Sequence, residues 1–289
     1  MHENELPTDA ALVQRLLAAQ FPKWADLSIE PVRSSGTVNA LYRLGGDMVV
    51  RLPRMDWGAG SVRKDAEWLP RLAPLLPVSI PVPLARGAPA EEFPWEWGVY
   101  PWLEGEHPNR DADPESLAAF VAALRAVDLD GGPFARRGRP LGEVQDEETR
   151  AALLQLEALI DVPAATEAWE EALAAPSWDG PPVWVHGDLL PGNLLVRNGR
   201  LAGVIDWGAV GVGDPACDLV AAWGALGAAA REVFRGALDL DDGTWARGRG
   251  WALSIGLIAL PYYVETNPVF AETAELLIRE ALADRAARG

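Results

Sequence analysis

The segment VWVHGDLLPGNLLVRNGRLAGVIDWG, residues 183–208, constrains this chain more than any other. Short apolar runs, VWV, LLV and LAGVID, alternate with polar residues that a buried segment could not carry without partners. Each run is too short for a helix and rich in valine and leucine, so each reads as a strand. Asn198-Gly199 separates the last two runs, and an Asn-Gly pair accepts the positive φ that both central positions of a tight hairpin require. The segment therefore predicts a strand, a loop carrying His186, Asp188 and Asn193, and a hairpin whose second strand delivers Asp206.

The surrounding chain changes texture twice. Thr8 or Asp9 can cap a first helix whose Leu12, Val13, Leu16 and Leu17 fall on one face. LSIEPV, ALYRL and MVVRL then read as a three-stranded antiparallel meander, followed by a helix over Ser61 to Ala73. A proline-dense stretch from Pro74 to Glu106 permits only short edge strands and turns, of which WGVY is the best strand. Beyond it the composition turns to alanine, leucine and glutamate, and after Pro215 the chain reads as helical to its end. With 289 residues the chain is long for one minimal core. These features predict an α+β, bilobal chain: a small N-terminal lobe with an antiparallel sheet over 1–104 and a larger, mostly helical lobe over 105–289.

Charge removes several classes of function. Lys plus Arg number 25 against 42 Asp plus Glu, and the net charge of -17 repels phosphate backbones and anionic lipid, so nucleic acid and membrane surfaces are not expected partners. The single cysteine, Cys217, cannot form an internal disulfide and has no metal-ligand spacing around it. The polar opening MHENELPTDA is unlike a signal peptide, and no apolar run approaches spanning length, so the expected compartment is the cytoplasm.

The polar residues of the opening segment have the spacing that phosphoryl transfer requires. Asp188 can orient a substrate hydroxyl, Asn193 can turn its carbonyl oxygen to a magnesium ion, and Asp206 can face the same metal. Protein kinases carry H-R-D-x-x-x-x-N followed by D-F-G. Here stand His186-Gly187-Asp188, then Asn193, then Asp206-Trp207-Gly208, with GDPACDL following. The segment resembles the aminoglycoside phosphotransferase family, a bacterial branch of the kinase-like fold. That resemblance implies ATP or GTP as phosphoryl donor, magnesium as cofactor and a nucleotide bound between the lobes. It gives His186 and Asp218 supporting roles in the loop that carries Asp188.

Further positions follow from the same resemblance. Ser34, Ser35, Gly36, Thr37 and Asn39 lie in SSGTVN, small and polar, and match the family's phosphate loop. Arg51, at the end of MVVRL, stands where kinases place a lysine, a departure that bidentate phosphate binding tolerates. Its acidic partner is expected to be Asp65, with Glu67 as the rival. Backbone groups of Trp102 and Leu103 would meet the base edge, with Tyr100 at the entrance. Only residues 209–213 separate Asp206-Trp207-Gly208 from Asp214-Pro215, too few for a segment that docks a polypeptide.

The expected acceptor is thus a small hydroxylated molecule, a cationic one included, with an aminoglycoside-like antibiotic first. A macrolide, or a metabolite of the choline, homoserine or amino-sugar kind, is the alternative, and a nucleotide-binding protein without catalysis the third reading. Glu167, Glu170, Glu171 and Glu265 are candidates for a cationic acceptor, while Trp245, Trp251, Tyr262 and Tyr263 form either an apolar wall or core. Assembly as a monomer or a homodimer stays open.

Overall fold

The computed structural model describes residues 6–32, 38–90 and 92–288. Contacts divide the chain into two compact units, the first comprising Met1–Leu75, Ser79–Glu104 and Gly203–Gly208, the second the remainder.

The first unit is built on five antiparallel strands, β1 (Ile29–Pro31), β2 (Asn39–Leu44), β3 (Met48–Pro53), β4 (Ala85–Gly87) and β5 (Trp97–Pro101), in the order β1-β2-β3-β5-β4. Strand β2 alternates, with Ala40, Tyr42 and Leu44 turned inward, as the period of two dictates. Strand β5 is buried along nearly its whole length, so it reads as a continuous apolar run. Helix α1 (Ala10–Gln20) starts at Asp9, whose carboxylate accepts from the Leu12 amide at 2.7 Å. Its Leu12, Val13, Leu16 and Leu17 join the sheet's Val50, Leu52 and Val99 in one core. Helix α2 (Ser61–Leu72) buries Val62, Asp65, Trp68, Leu69 and Leu72.

The second unit contains helices α3 (Pro114–Arg125), α4 (Leu141–Gln155), α5 (Val162–Ala174), α6 (Val220–Ala225), α7 (Ala228–Ala237), α8 (Asp242–Tyr263) and α9 (Pro268–Arg288). Aspartates cap α3, α5 and α8, and proline fills the first turn of α3 and α5. Helix α8 is buried on nearly all sides, which marks a central helix. It still carries Arg247 and Arg249 inside, and both are paired: Arg247 with Asp214 at 2.8 Å, Arg249 with Asp284 at 3.5 Å.

Four short strands frame the loop that the sequence singled out. Strand β6 (Val183–Val185) pairs antiparallel with β9 (Gly211–Gly213), and β7 (Leu194–Arg197) with β8 (Arg200–Val204). Asn198 and Gly199 have φ of 50° and 77°, as a hairpin turn of this length needs.

Candidate active site

In the second unit, β6 delivers the chain into a loop whose backbone is fixed from below. Asp218 is buried, and its two carboxylate oxygens accept from the amides of His186 at 2.7 Å and Gly187 at 2.8 Å. Burial pushes the Asp218 carboxyl upward, while the neighbouring His186 and these two amides pull it back. His186 is fully buried, and its Nδ1 accepts from the Asp188 amide at 3.2 Å, which leaves the ring proton on Nε2. Gly187 adopts a φ of 77°, and a Cβ there would lie 2.7 Å from the Ala209 carbonyl oxygen, so only glycine fits.

Asp188 is half-buried at the top of this support. Asn193 Nδ2 donates to the Asp188 backbone oxygen at 2.8 Å and to its Oδ2 at 3.1 Å. Arg137 donates to the Gly187 carbonyl oxygen at 3.1 Å and pairs with Oδ1 of Asp188. With Nδ2 committed, the amide oxygen of Asn193 is the atom left to face a hard cation.

In the first unit, Arg51 lies on β3 opposite Gly98 of β5 and is almost fully buried. Its Nη2 reaches Oδ2 of Asp65 at 2.5 Å and Oγ of Ser61 at 3.1 Å, and Tyr100 donates its hydroxyl to the same Oδ2 at 2.9 Å. The guanidinium carbon sits 4.7 Å from the Tyr100 ring centre. Asp65, not the exposed Glu67, is therefore the partner of Arg51. Arginine is longer than lysine and aspartate shorter than glutamate, so the two departures from the kinase pattern offset each other in reach. Burial alone would weaken the Arg51 cation, but the fields of Tyr100, Asp65 and Asp206 outweigh it and hold its pKa above the usual value. Burial pushes the Tyr100 hydroxyl up, with Arg51 opposing, so the phenol stays protonated and donates.

Asp206 belongs to the same unit, two residues past β8. It is exposed and has a φ of 58°, uncommon for a residue with a side chain and tolerated best by asparagine and aspartate. Two contacts fix its turn: the buried Trp207 indole donates to the Val204 carbonyl at 2.9 Å, and Lys64 on α2 donates to the Gly208 carbonyl at 2.6 Å. Burial lowers the Lys64 pKa, with Asp65 opposing. No cluster of three or more His, Cys, Asp or Glu side chains suited to a metal occurs among the described residues. Magnesium does not need one, because it takes one or two protein oxygens and completes its shell with water and phosphate. The Asp206 carboxylate in the first unit and the Asn193 amide oxygen in the second are each, by chemistry alone, donors of that kind.

The other marked residues fare differently. Ser34, Ser35, Gly36 and Thr37 lie outside the described residues. Asn39 opens β2 opposite Pro53, and its buried Oδ1 meets no donor among the described residues. The Trp102 amide donates to the Asp47 carbonyl at 2.8 Å, so it is not free to meet a base, and the Trp102 ring is covered by Arg43 at 4.0 Å. The Trp102 carbonyl and the backbone of Leu103 keep their role as candidates. Tyr100 stands at no entrance: it is 2% exposed.

Glu167 and Glu171 share Arg285, and Glu170 shares Arg150 with Asp146, so each of these exposed carboxylates already has an arginine partner within the second unit. Trp245 and Trp251 are core, while Tyr262 is half-exposed and packs its ring edge-on to Tyr263. The sequence reading passed over Arg137, Ser61 and Lys64; the one available signal was the basic run ARRGR beside an acidic stretch. No described helix is long and apolar enough to cross a membrane.

Comparison with known proteins bears on the family and the fold. The model of the phosphotransferase enzyme family (APH) matches residues 28–251. The GDP and kanamycin complex of APH(2")-IIia shares the fold, with a TM-score of 0.75 at 21% identity over 94% of this chain and 99% of that one. The apoenzyme of macrolide 2'-phosphotransferase MphH from Brachybacterium faecium gives a TM-score of 0.62 at 26% identity over 94% and 98% of the two chains. A curated relative, the uncharacterized protein YcbJ of Bacillus subtilis (strain 168), is 28% identical over 154 residues, 50% of this chain and 48% of that relative, so the match spans about half its length. With a family model covering most of its length, and a kinase-like α+β fold to match, this chain belongs to the phosphotransferase enzyme family.

Proposed function

We propose that this protein transfers the γ-phosphoryl group of ATP or GTP, with magnesium, to a hydroxyl of a small molecule. The observation that carries the reading is the loop of residues 186–193, in which Asp188 is held from both sides of its carboxylate on a backbone braced by Asp218. Asp188 orients the acceptor hydroxyl and takes up its proton. The acceptor oxygen bonds to the γ-phosphorus as the bond to the β–γ bridging oxygen breaks, and the nucleoside diphosphate leaves with that electron pair. Asn193 and Asp206 hold magnesium, which supplies charge neutralisation at the phosphates. Arg51, kept in place by Asp65 and Tyr100, contacts phosphate oxygens, and the Trp102 carbonyl and Leu103 offer backbone groups to the base. On this reading residues 1–104 serve the nucleotide, residues 105–289 carry the catalytic and metal-binding side chains and the acceptor site, and the enzyme works in the cytoplasm.

A small acceptor is supported by the fate of residues 209–213. They are largely consumed by β9, so nothing there is left to dock a polypeptide. An aminoglycoside-like antibiotic is the first candidate, in line with the kanamycin bound to APH(2")-IIia. A less cationic acceptor, of the macrolide kind, is the second reading. Its support is that Glu167, Glu170 and Glu171 each already have an arginine partner, with which the ammonium groups of a polycationic acceptor would have to compete.

The test is magnesium-dependent release of ADP and GDP across aminoglycosides, macrolides, choline, homoserine and amino sugars, by wild type and Asp188→Ala. Acceptor-stimulated release reduced roughly a hundredfold or more in the variant is the expected outcome. Full turnover by Asp188→Ala would remove Asp188 from the mechanism.

A further inference from the structure

Three arginines stand together in ARRGR, residues 135–139, and their side chains take different paths. Arg136 pairs with Glu148 at 2.9 Å and Arg139 with Glu143 at 3.1 Å, both on α4, with more than half of each arginine side chain in solvent. Pairs of that kind contribute little. Arg137 turns the other way: its side chain is 30% exposed, and one nitrogen serves both the Gly187 carbonyl and Oδ1 of Asp188.

The turn that carries Arg137 is tied to the framework that carries Asp188. The Ala135 amide donates to the Val212 carbonyl at 3.0 Å, and the Gly138 carbonyl accepts from the Asp214 amide at 2.8 Å. A Cβ on Gly138 would lie 2.8 Å from Cα of Gly213, so the turn lies directly on β9. Strand β9 pairs with β6, and β6 runs straight into His186-Gly187-Asp188. The arginine and the carboxylate thus hang from two adjacent parts of one small framework.

We infer that Arg137 is a positioning residue for phosphoryl transfer, clamping Oδ1 of Asp188 while Asn193 holds Oδ2, so that the carboxylate presents one orientation to the acceptor hydroxyl. The inference rests on the role proposed above for Asp188. A carboxylate has about four acceptor sites, so two donors leave room for the acceptor's hydroxyl. A half-buried aspartate without the clamp would rotate among rotamers, and misplacement of a reacting group by about an ångström costs on the order of a hundredfold in rate.

The experiment measures steady-state ADP or GDP release from magnesium-ATP and magnesium-GTP, with kanamycin as acceptor and with water alone, for wild type, Arg137→Ala, Arg137→Lys, Arg136→Ala and Asp188→Ala. The expected result is a kcat lowered roughly tenfold or more in Arg137→Ala, with the KM for nucleotide within about twofold, partial recovery in Arg137→Lys and no change in Arg136→Ala. Loss of kcat together with a raised nucleotide KM and a lowered urea midpoint in both Arg137 variants would make the role structural and overturn the inference. So would wild-type kcat in Arg137→Ala when Asp188→Ala has lost turnover. Full turnover in Asp188→Ala, or none in the wild type with any acceptor of the panel above or with water, would instead overturn the reading of Asp188 itself.

Discussion

Arg51, Asp65 and Tyr100 show how a departure from a motif is absorbed at the scale of residues. Asp65 is fully buried and receives both the guanidinium and the phenol on one oxygen. Shortening the cation alone, Arg51→Lys, withdraws the donor and leaves a buried carboxylate short of partners, a loss of about 1–3 kcal/mol in urea denaturation. Asp65→Glu alone should crowd the same site. The double variant R51K/D65E restores the summed reach, and a double-mutant cycle should return a favourable coupling of at least about 0.5 kcal/mol. Strict additivity would refute the length argument. The sequence marked Arg51 and left Asp65 and Glu67 as rivals, although Asp65 stands with Val62, Leu69 and Leu72 at the i, i+3, i+7, i+10 spacing of one helical face; that face is buried and leaves Glu67 in solvent.

At the scale of elements, caps and turns were the most legible features. Asp9, Asp113, Asp161 and Asp241 each precede a helix and accept from an amide three residues on. Asp9 is marked above, and Asp113 followed by Pro114 also reads in the sequence as a cap and first-turn proline, whereas the α5 and α8 starts lack an unambiguous apolar period. The Asp241 carboxyl lies below its ordinary value, chiefly through the bond from the Thr244 hydroxyl against burial, with the Thr244 and Gly243 amides and Arg247 adding to it. A depressed folded-state pKa means the unfolded chain binds the proton more readily. Its contribution is therefore complete above the usual aspartate range, about 3.9, and is lost as pH falls through the lower folded value. Asp241→Asn keeps a good cap. Its urea midpoint should stay near wild type at pH 7 and lose less than wild type does in acid; parallel losses would assign the acid sensitivity elsewhere. Asp241→Ala should cost about 1 kcal/mol at pH 7.

At the scale of the whole molecule, an acidic chain spends much of its charge inside its own second unit. Glu280 on α9 accepts from Arg231 on α7 at 2.6 Å and from Arg110 at 2.9 Å, and Arg231 is 2% exposed. Glu280→Ala strands a buried cation and should destabilise by about 3–5 kcal/mol in urea denaturation, while Glu280→Gln, which retains an acceptor, should cost less. Equal midpoints for Glu280→Ala and wild type would show that Arg231 relaxes onto Asp284, 3.8 Å away. The candidate carboxylates Glu167, Glu170 and Glu171 have arginine partners in the same way, because composition records charge without recording what faces it.

By itself the sequence determined what depends on neighbours along the chain. The antiparallel meander, the Asn-Gly hairpin, the helical second half and the spacing of His186, Asp188, Asn193 and Asp206 are all set by turn chemistry and periodicity within a few dozen residues. Tertiary structure alone decided what depends on residues far apart. It paired Arg51 with Asp65 and Tyr100, took up the Trp102 amide at Asp47, buried Trp245 and Trp251, and turned Arg137 rather than Arg136 or Arg139 toward Asp188. Such pairings arise when whole elements pack by their apolar faces, and the polar side chains then meet whichever partner that packing brings within hydrogen-bond reach.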